Sequence, residues 1–322
     1  MRRLAWLSVG VLLSLSLAGV ASAEPLKIRY SIWVGYGPLF LAQEKGFFKE
    51  ENVEVQLVNV EDPKEGFFAM AAGRLDGVVS TIDTMVLYLK TGKEFQYVLA
   101  LDDSVGGDGI VARKEIKSIR DLRGKRVAVH EGSVSQFFLS VLLREAGLSE
   151  KDVRVVNMTP GDAGAAFVAG RVDAAVTWEP WLSKGKAAPH GHLLIDSAQT
   201  PGLITDVLVF RRDVVESRPR EIQGVVDAWS KAVTQWERNP GESNAIMARA
   251  VGDWLKDPKL FADALTGVRF YNNPANARFF GTPQNPGALY KVIQHAIDIA
   301  GASGQLRGTF SARDLVNHSF VK

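Results

Sequence analysis

Apolar and polar positions along this 322-residue chain change period at short intervals, and each change marks an element. Residues 26–31 read as a strand, and 53–60 alternate with period two, as strands with one buried face do. Between them, 37–45 has helical spacing and stops at Gly46. Residues 63–72 repeat that spacing between Asp62, a helix-capping residue, and Gly73. A short apolar run, 77–80, predicts a third strand. After Asp121 the series begins again: strand 126–129, helix 133–145 stopped at Gly147, strand 153–157, helix 162–169 stopped at Gly170, strand 174–177. Strands alternating with helices predict parallel sheets with crossover helices, so the pattern describes two α/β units in series.

The units echo one another. Ala72-Gly73-Arg74-Leu75-Asp76-Gly77-Val78-Val79-Ser80-Thr81 and Ala169-Gly170-Arg171-Val172-Asp173-Ala174-Ala175-Val176-Thr177-Trp178 share five of ten residues in order. The rest of the chain reads differently. Residues 204–211 form a β-branched strand, and from Pro219 onward the pattern is helical, with amphipathic helices over 223–238 and 288–300. Trp229, Trp236 and Trp254 fall on that pattern as core residues. Two segments, 102–111 and 205–209, are expected to cross between the units and to hinge them. The predicted division is a first lobe of 24–112 and 203–322 and a second of 113–202.

Charge and leader change the picture next. Arg2 and Arg3 precede an apolar stretch, 4–20, and Ala21-Ser22-Ala23 has the small-x-small pattern of a cleavage site. Residues 1–23 therefore read as an export signal cut after Ala23. Without Arg2 and Arg3 the formal charge of +2 falls to 0, which offers no basic field for nucleic acid. The chain has no Cys, which excludes disulfides and thiol chemistry.

In open α/β sheets ligands sit beyond the carboxyl ends of the strands. That rule selects four loops. The first carries Trp33, Tyr36, Gly37 and Pro38, where two glycines allow close backbone approach and two aromatics lie outside any strand. In the second are Thr81 and Asp83, which offer a hydroxyl and a carboxylate for a ligand or for a helix cap. Gly132, Ser133 and Ser135 open a helix in the third and present free N–H groups. The fourth holds Trp178 and Glu179. The crossings add Asp108 and Asp206. These loops hold Asp83, Asp103, Asp108, Glu131, Glu179 and Asp206 but no Lys or Arg, so a cleft among them favours an ammonium or amidinium group. No nucleophile elbow, phosphate loop or zinc helix motif is present. His190 and His192, two apart in a loop, make a poor metal pair, and the adjacent Asp102 and Asp103 make a poor acid/base pair. No metal, cofactor or catalytic residue is expected.

Four passages resemble one family. They are residues 33–48, from Trp33-Val34-Gly35-Tyr36-Gly37-Pro38 to Gly46-Phe47-Phe48; Ala72-Gly73-Arg74-Leu75-Asp76; residues 121–132; and Gly170-Arg171-Val172-Asp173-Ala174-Ala175 with Trp178-Glu179-Pro180. Together they are similar to the nitrate/taurine/alkanesulfonate group of ABC-importer binding proteins, which includes binders of thiamine pyrimidine precursors. The resemblance spans about 26–212. It implies a type II periplasmic binding fold, two α/β lobes joined by two crossings, with a small-molecule ligand between them and a membrane permease as partner. The implied protein is a periplasmic monomer and no enzyme. The loop carboxylates suit a taurine-like amino-sulfonate or another amine-bearing solute better than nitrate. A flat pyrimidine held by Trp33 and Trp178, a pyrimidine-precursor enzyme on the same fold, and a periplasmic sensor are the alternatives.

Overall fold

The computed structural model describes residues 24–252 and 255–321. The expected export signal and Trp254 lie outside the described residues. Eleven strands are described: β1 (Leu26–Tyr30), β2 (Val55–Asn59), β3 (Gly77–Thr81), β4 (Phe95–Ser104), β5 (Asp108–Arg113), β6 (Arg126–Val129), β7 (Arg154–Asn157), β8 (Ala174–Trp178), β9 (Gly191–Asp196), β10 (Thr205–Arg211) and β11 (Val268–Phe270). They form two sheets, ordered β11-β4-β10-β3-β1-β2 and β7-β6-β8-β5-β9. Each sheet has three parallel strands at one end, β2-β1-β3 and β7-β6-β8, as helix-linked strands require. Each is then extended by antiparallel strands: β10 on β3, and β5 on β8.

The sequence echo is a repeated structural device. Gly73 and Gly170 adopt φ of 73° and 72° and end equivalent helices, Pro63–Ala71 and Pro160–Val168. That left-handed conformation suits Gly because a Cβ would strain it. Three residues on, Asp76 accepts the amide of Lys27 at 2.9 Å, and Asp173 accepts that of Arg126 at 2.9 Å. Each Asp thus fixes the start of the neighbouring parallel strand. An arginine from the antiparallel strand then closes each turn: Arg211 bonds Leu75 O at 2.7 Å, and Arg113 bonds Gly170 O at 2.7 Å.

The helical tail covers the first sheet. Pro219–Arg238 buries Ile222, Val225, Val226, Trp229 and Val233 at 3.6-residue spacing. Trp229 is fully buried, with its N–H on Tyr271 O at 2.9 Å; Trp236 is half-buried against the same core and bonds Asn244 Oδ1. The tail also touches the second lobe, because Phe137 and Val141 pack on Ile299.

Two differences from the sequence reading position the cleft. The segment beginning at Asp102 is no turn: Asp102, Asp103 and Ser104 end the ten-residue strand β4, and only residues 105–107 cross. β5 then belongs to the second sheet, so the crossing precedes the expected boundary at 112 by several residues. Glycines at 106 and 107 are the turn signal, and the apolar run 109–112 pairs wherever an open edge of matching length lies, which is on β8 and β9. The return crossing, residues 197–204, is tied to the first. Ser104 Oγ and Ser197 Oγ lie 2.8 Å apart, and Ser197 Oγ also accepts from Gly106 N at 2.8 Å.

Candidate functional site

The carboxyl ends of β1, β3 and β8 and the starts of β5 and β10 meet at one cleft between the lobes. Among its lining residues are Arg29, Trp33, Tyr36, Glu61, Ser80, Thr81, Asp108, His130, Ser133, Trp178 and Asp206. The space between the lobes is about 470 Å³, counted out into open solvent. The lobes touch across it. Trp33 and Trp178 meet edge to face, with centroids 6.1 Å apart at 71°, and Tyr88 donates its O–H to Gly132 O at 3.1 Å.

Seven of the thirteen sequence candidates line this space: Trp33, Tyr36, Thr81, Asp108, Ser133, Trp178 and Asp206. The other six do not. Gly37 faces inward, where a Cβ would meet Met247 Sδ at 2.7 Å, and Pro38 occupies the buried first turn of Gly37–Glu44. Asp83 is buried beside the cleft, accepting from Thr84 Oγ1 at 3.2 Å. Gly132 supplies only backbone, with φ of 73°. Ser135 is buried in the first turn of the helix Val134–Glu145. Glu179 turns outward and receives Ser183 N and Oγ at 3.1 and 2.9 Å. His190 and His192 each place Nε2 on a backbone carbonyl, that of Phe167 and of Ile116.

Arg29 corrects the expectation of a cleft without Lys or Arg. The strand Leu-Lys-Ile-Arg-Tyr reads as alternating, with Arg29 on the wet face. β1 is an inner strand, however, flanked by β3 and β2, and Arg29 near its carboxyl end is 1 % exposed. Its Nε, Nη1 and Nη2 donate to Val60 O (2.7 Å), Val79 O (3.0 Å) and Glu61 O (2.9 Å), at the ends of the neighbouring strands. A charged residue between apolar neighbours at a strand's end was the one available signal. Burial lowers its pKa, offset in part by Tyr36 and Glu61.

Acidic residues dominate the floor. Asp206 lies opposite Asp102 on β4 and Thr81 on β3. Tyr36 O–H donates to Asp206 Oδ1 at 2.5 Å, and Trp33 Nε1 donates to Asp102 Oδ1 at 3.2 Å. Asp103, its side chain on the other face of β4, is the compensated one: Arg269 pairs with it, and Thr205 and Tyr271 donate to it at 2.7 and 3.0 Å. Among the described residues, no Lys, Arg or His forms an ion pair with Asp83, Asp102, Asp108 or Asp206. Burial pushes the carboxyls of Asp83 and Asp108 up to about 7. It raises Asp102 well above the carboxylate range, with Asp206 adding to the effect. Asp206 is raised likewise, by burial and then by Asp108 and Asp83, against the pull of the Tyr36 hydrogen bond.

On the opposite wall Ser133 caps Val134–Glu145, accepting Ser135 N at 3.2 Å while donating to His130 O at 2.7 Å. Trp178 Nε1 is buried with no hydrogen-bond partner among the described residues. The cleft therefore offers carboxylates on its floor, and N–H donors and a helix start on its wall.

This geometry agrees with a family comparison: the model of the family described as NMT1/THI5 like matches residues 33–243. The chain belongs to the NMT1/THI5-like family. A putative aliphatic sulfonates-binding protein of Bacillus subtilis (strain 168) is 25% identical over 302 residues, covering 92% of this chain and 87% of that protein. A second protein of that description, from Escherichia coli (strain K12), is 29% identical over 258 residues, covering 78% and 80%. In structure, the chain resembles the periplasmic aliphatic sulphonate binding protein SsuA from Escherichia coli, with a TM-score of 0.72 at 22% identity over 93% of this chain and 99% of that one. The fold is thus that of the periplasmic binding proteins, two α/β lobes joined by two crossings. Among the described residues no helix is long and apolar enough to cross a membrane.

Proposed function

We propose that this chain is the periplasmic solute-binding component of an ABC importer, and that it captures a small amine- or amidine-bearing solute between its lobes. The observation that carries this reading is the charge balance of the cleft. Asp108 and Asp206 line it, Asp83 and Asp102 lie behind them, and none has an ionic partner among the described residues. A cation brought into that space gains charge-assisted hydrogen bonds that an inorganic anion such as nitrate would not. Trp33 and Trp178 supply aromatic faces for its carbon skeleton or for the cation itself. An amino-sulfonate such as taurine fits both walls: its ammonium at Asp108 and Asp206, its sulfonate toward the start of Val134–Glu145 and toward the two N–H groups of Arg29 that the strand carbonyls leave over. The protein works as a monomer, and lobe closure presents both lobes to a permease.

A second reading has support in the aromatic pair. An aminopyrimidine precursor of thiamine would insert between Trp33 and Trp178 and offer N–H donors to Asp108. A thermal-shift screen separates the two readings. The panel holds taurine, alkanesulfonates without an amine, nitrate, methylguanidinium, amino acids and aminopyrimidines. A ligand at about a hundred times its Kd raises stability by roughly 2.7 kcal/mol. Stabilisation by amine-bearing solutes is the expected result. A shift with nitrate or amine-free sulfonates alone would refute the cationic reading. Asp108→Ala and Trp33→Ala should each weaken capture of whichever solute binds.

A further inference from the structure

Resting on the cationic-solute reading, we propose that protons balance the charge of the empty cleft, and that an arriving cation displaces one of them, so that capture releases a proton to the solvent. The strand register makes this arrangement. β10 sits between β3 and β4, which places Asp206 beside Thr81 and across from Asp102. β5 begins with Asp108 immediately after the crossing, and the helix Ile82–Val86 carries Asp83 in its first turn. Four carboxyl groups from four elements thus share one buried region, each 6 % exposed or less.

The groups facing Asp206 from each side do not supply the missing charge. Tyr36, from the turn Val34–Tyr36, donates a neutral hydrogen bond. On β4, Asp102 is acidic and holds only the Trp33 N–H, while Asp103 is already paired with Arg269 and bonded by Tyr271. Arg29 on β1 lines the cleft, but three of its N–H groups are held by carbonyls, and Glu61 and Asp62 stand among the charges nearest to it. From the second lobe, His130 lies 3.9 Å from Asp62, and burial lowers its pKa. One arginine facing four carboxyls leaves a net negative charge that a desolvated site does not hold. The cluster takes up protons instead and titrates as a set.

Asp206 is the group placed for exchange. Tyr36 occupies one of its oxygens, the second has no donor among the described residues, and the side chain lines the cleft. When a ligand N–H reaches it, the carboxylic O–H bond breaks, the proton passes to buffer, and the carboxylate pairs with the cation. Affinity for the cation then rises about tenfold per pH unit while the seat is protonated, and levels off once it is not.

Isothermal calorimetry of the unmodified protein, with methylguanidinium chloride and with taurine as probes, tests this directly. Titrations at pH 6.5 in phosphate and in citrate, two buffers without an amine, differ in observed enthalpy by the number of protons exchanged times the difference between the buffers' ionisation enthalpies. The expected result is release of about one proton per cation bound, with Kd falling about tenfold between pH 5.5 and 6.5. The isosteric Asp206→Asn should release fewer protons and show a flatter pH dependence. Binding with no buffer dependence, or with a Kd independent of pH, overturns the proposal and leaves the cationic reading standing. No binding by either probe or by any amine on the panel overturns both.

Discussion

Replacing Asp108 by Asn should stabilise the ligand-free protein, and by an amount that depends on pH. The side chain is buried at the start of β5, has no ionic partner among the described residues, and has its carboxyl pushed up to about 7 from 3.8 by burial. A folded-state pKa raised above the unfolded one means that folding favours the neutral acid. The contribution is fully present below pH 3.8 and is lost as pH rises toward 7. The gap of about 3 units corresponds to about 4 kcal/mol. Asn has the same shape and never ionises, so it avoids that loss. Below about pH 4 the variant and wild type should melt together. The variant should gain about 1–2 kcal/mol near pH 5 and about 4 kcal/mol at pH 8. At roughly 2 °C per kcal/mol for a chain of this size, the Tm gain at pH 8 is about 8 °C. Circular-dichroism melts of both proteins without ligand, from pH 4 to pH 8, measure it. The same substitution removes half of the proposed cation seat, so the stabler protein should bind more weakly, the usual cost of a strained site. A Tm difference that is constant with pH, or a variant no more stable at pH 8, would refute the reasoning.

Other perturbations separate the parts of the design. Arg29→Met should lower stability by about 3–5 kcal/mol in urea melts, because it leaves three buried carbonyls, those of Val60, Val79 and Glu61, without their donors; a loss below 1 kcal/mol would show that water replaces it freely. Tyr88→Phe deletes the O–H bond to Gly132 O across the lobes, so small-angle scattering should show a more open ligand-free protein with its Tm within about 1 kcal/mol of wild type; an unchanged radius of gyration would count against Tyr88 as a latch. Gly267→Ala would bring a Cβ to 2.5 Å from Gly107 N in the crossing, where backbone cannot yield cheaply, and should cost about 2 kcal/mol or more; a melt equal to wild type would show that the hinge relaxes. Trp33→Phe keeps an aromatic wall but frees the Asp102 carboxyl of its donor, and should weaken solute capture several-fold by calorimetry, whereas unaltered affinity would place Trp33 outside the binding surface.

Local pattern was enough for the elements that local pattern controls. Period-two and period-3.6 runs marked the parallel strands, their helices and the long tail helix. The repeated Ala-Gly-Arg-x-Asp passage marked two equivalent turns, because a left-handed Gly and a strand-fixing Asp leave the same residues wherever the turn occurs. Strand ends carry Trp33, Tyr36, Thr81, Ser133 and Trp178 to the cleft, since parallel strands send their carboxyl ends to one side, while Asp108 and Asp206 come from the crossings at the starts of β5 and β10. Tertiary structure decided what depends on partners distant in sequence. β4 and β9 are not legible locally because their residues take their meaning from neighbours more than a hundred positions away in β4's case and about eighty in that of β9. Arg29 alternates like a surface residue and is buried only because β2 and β3 flank its strand and leave carbonyls for it to satisfy. The sequence alone determined that carboxylates outnumber cations in these loops. Which of them turn inward was decided by tertiary pairing: β10 between β3 and β4 sets Asp206 in the cleft, β5 beside β8 brings Asp108 to it, and β11 beside β4 puts Arg269 on Asp103, since one step of strand register sends a side chain to the opposite face.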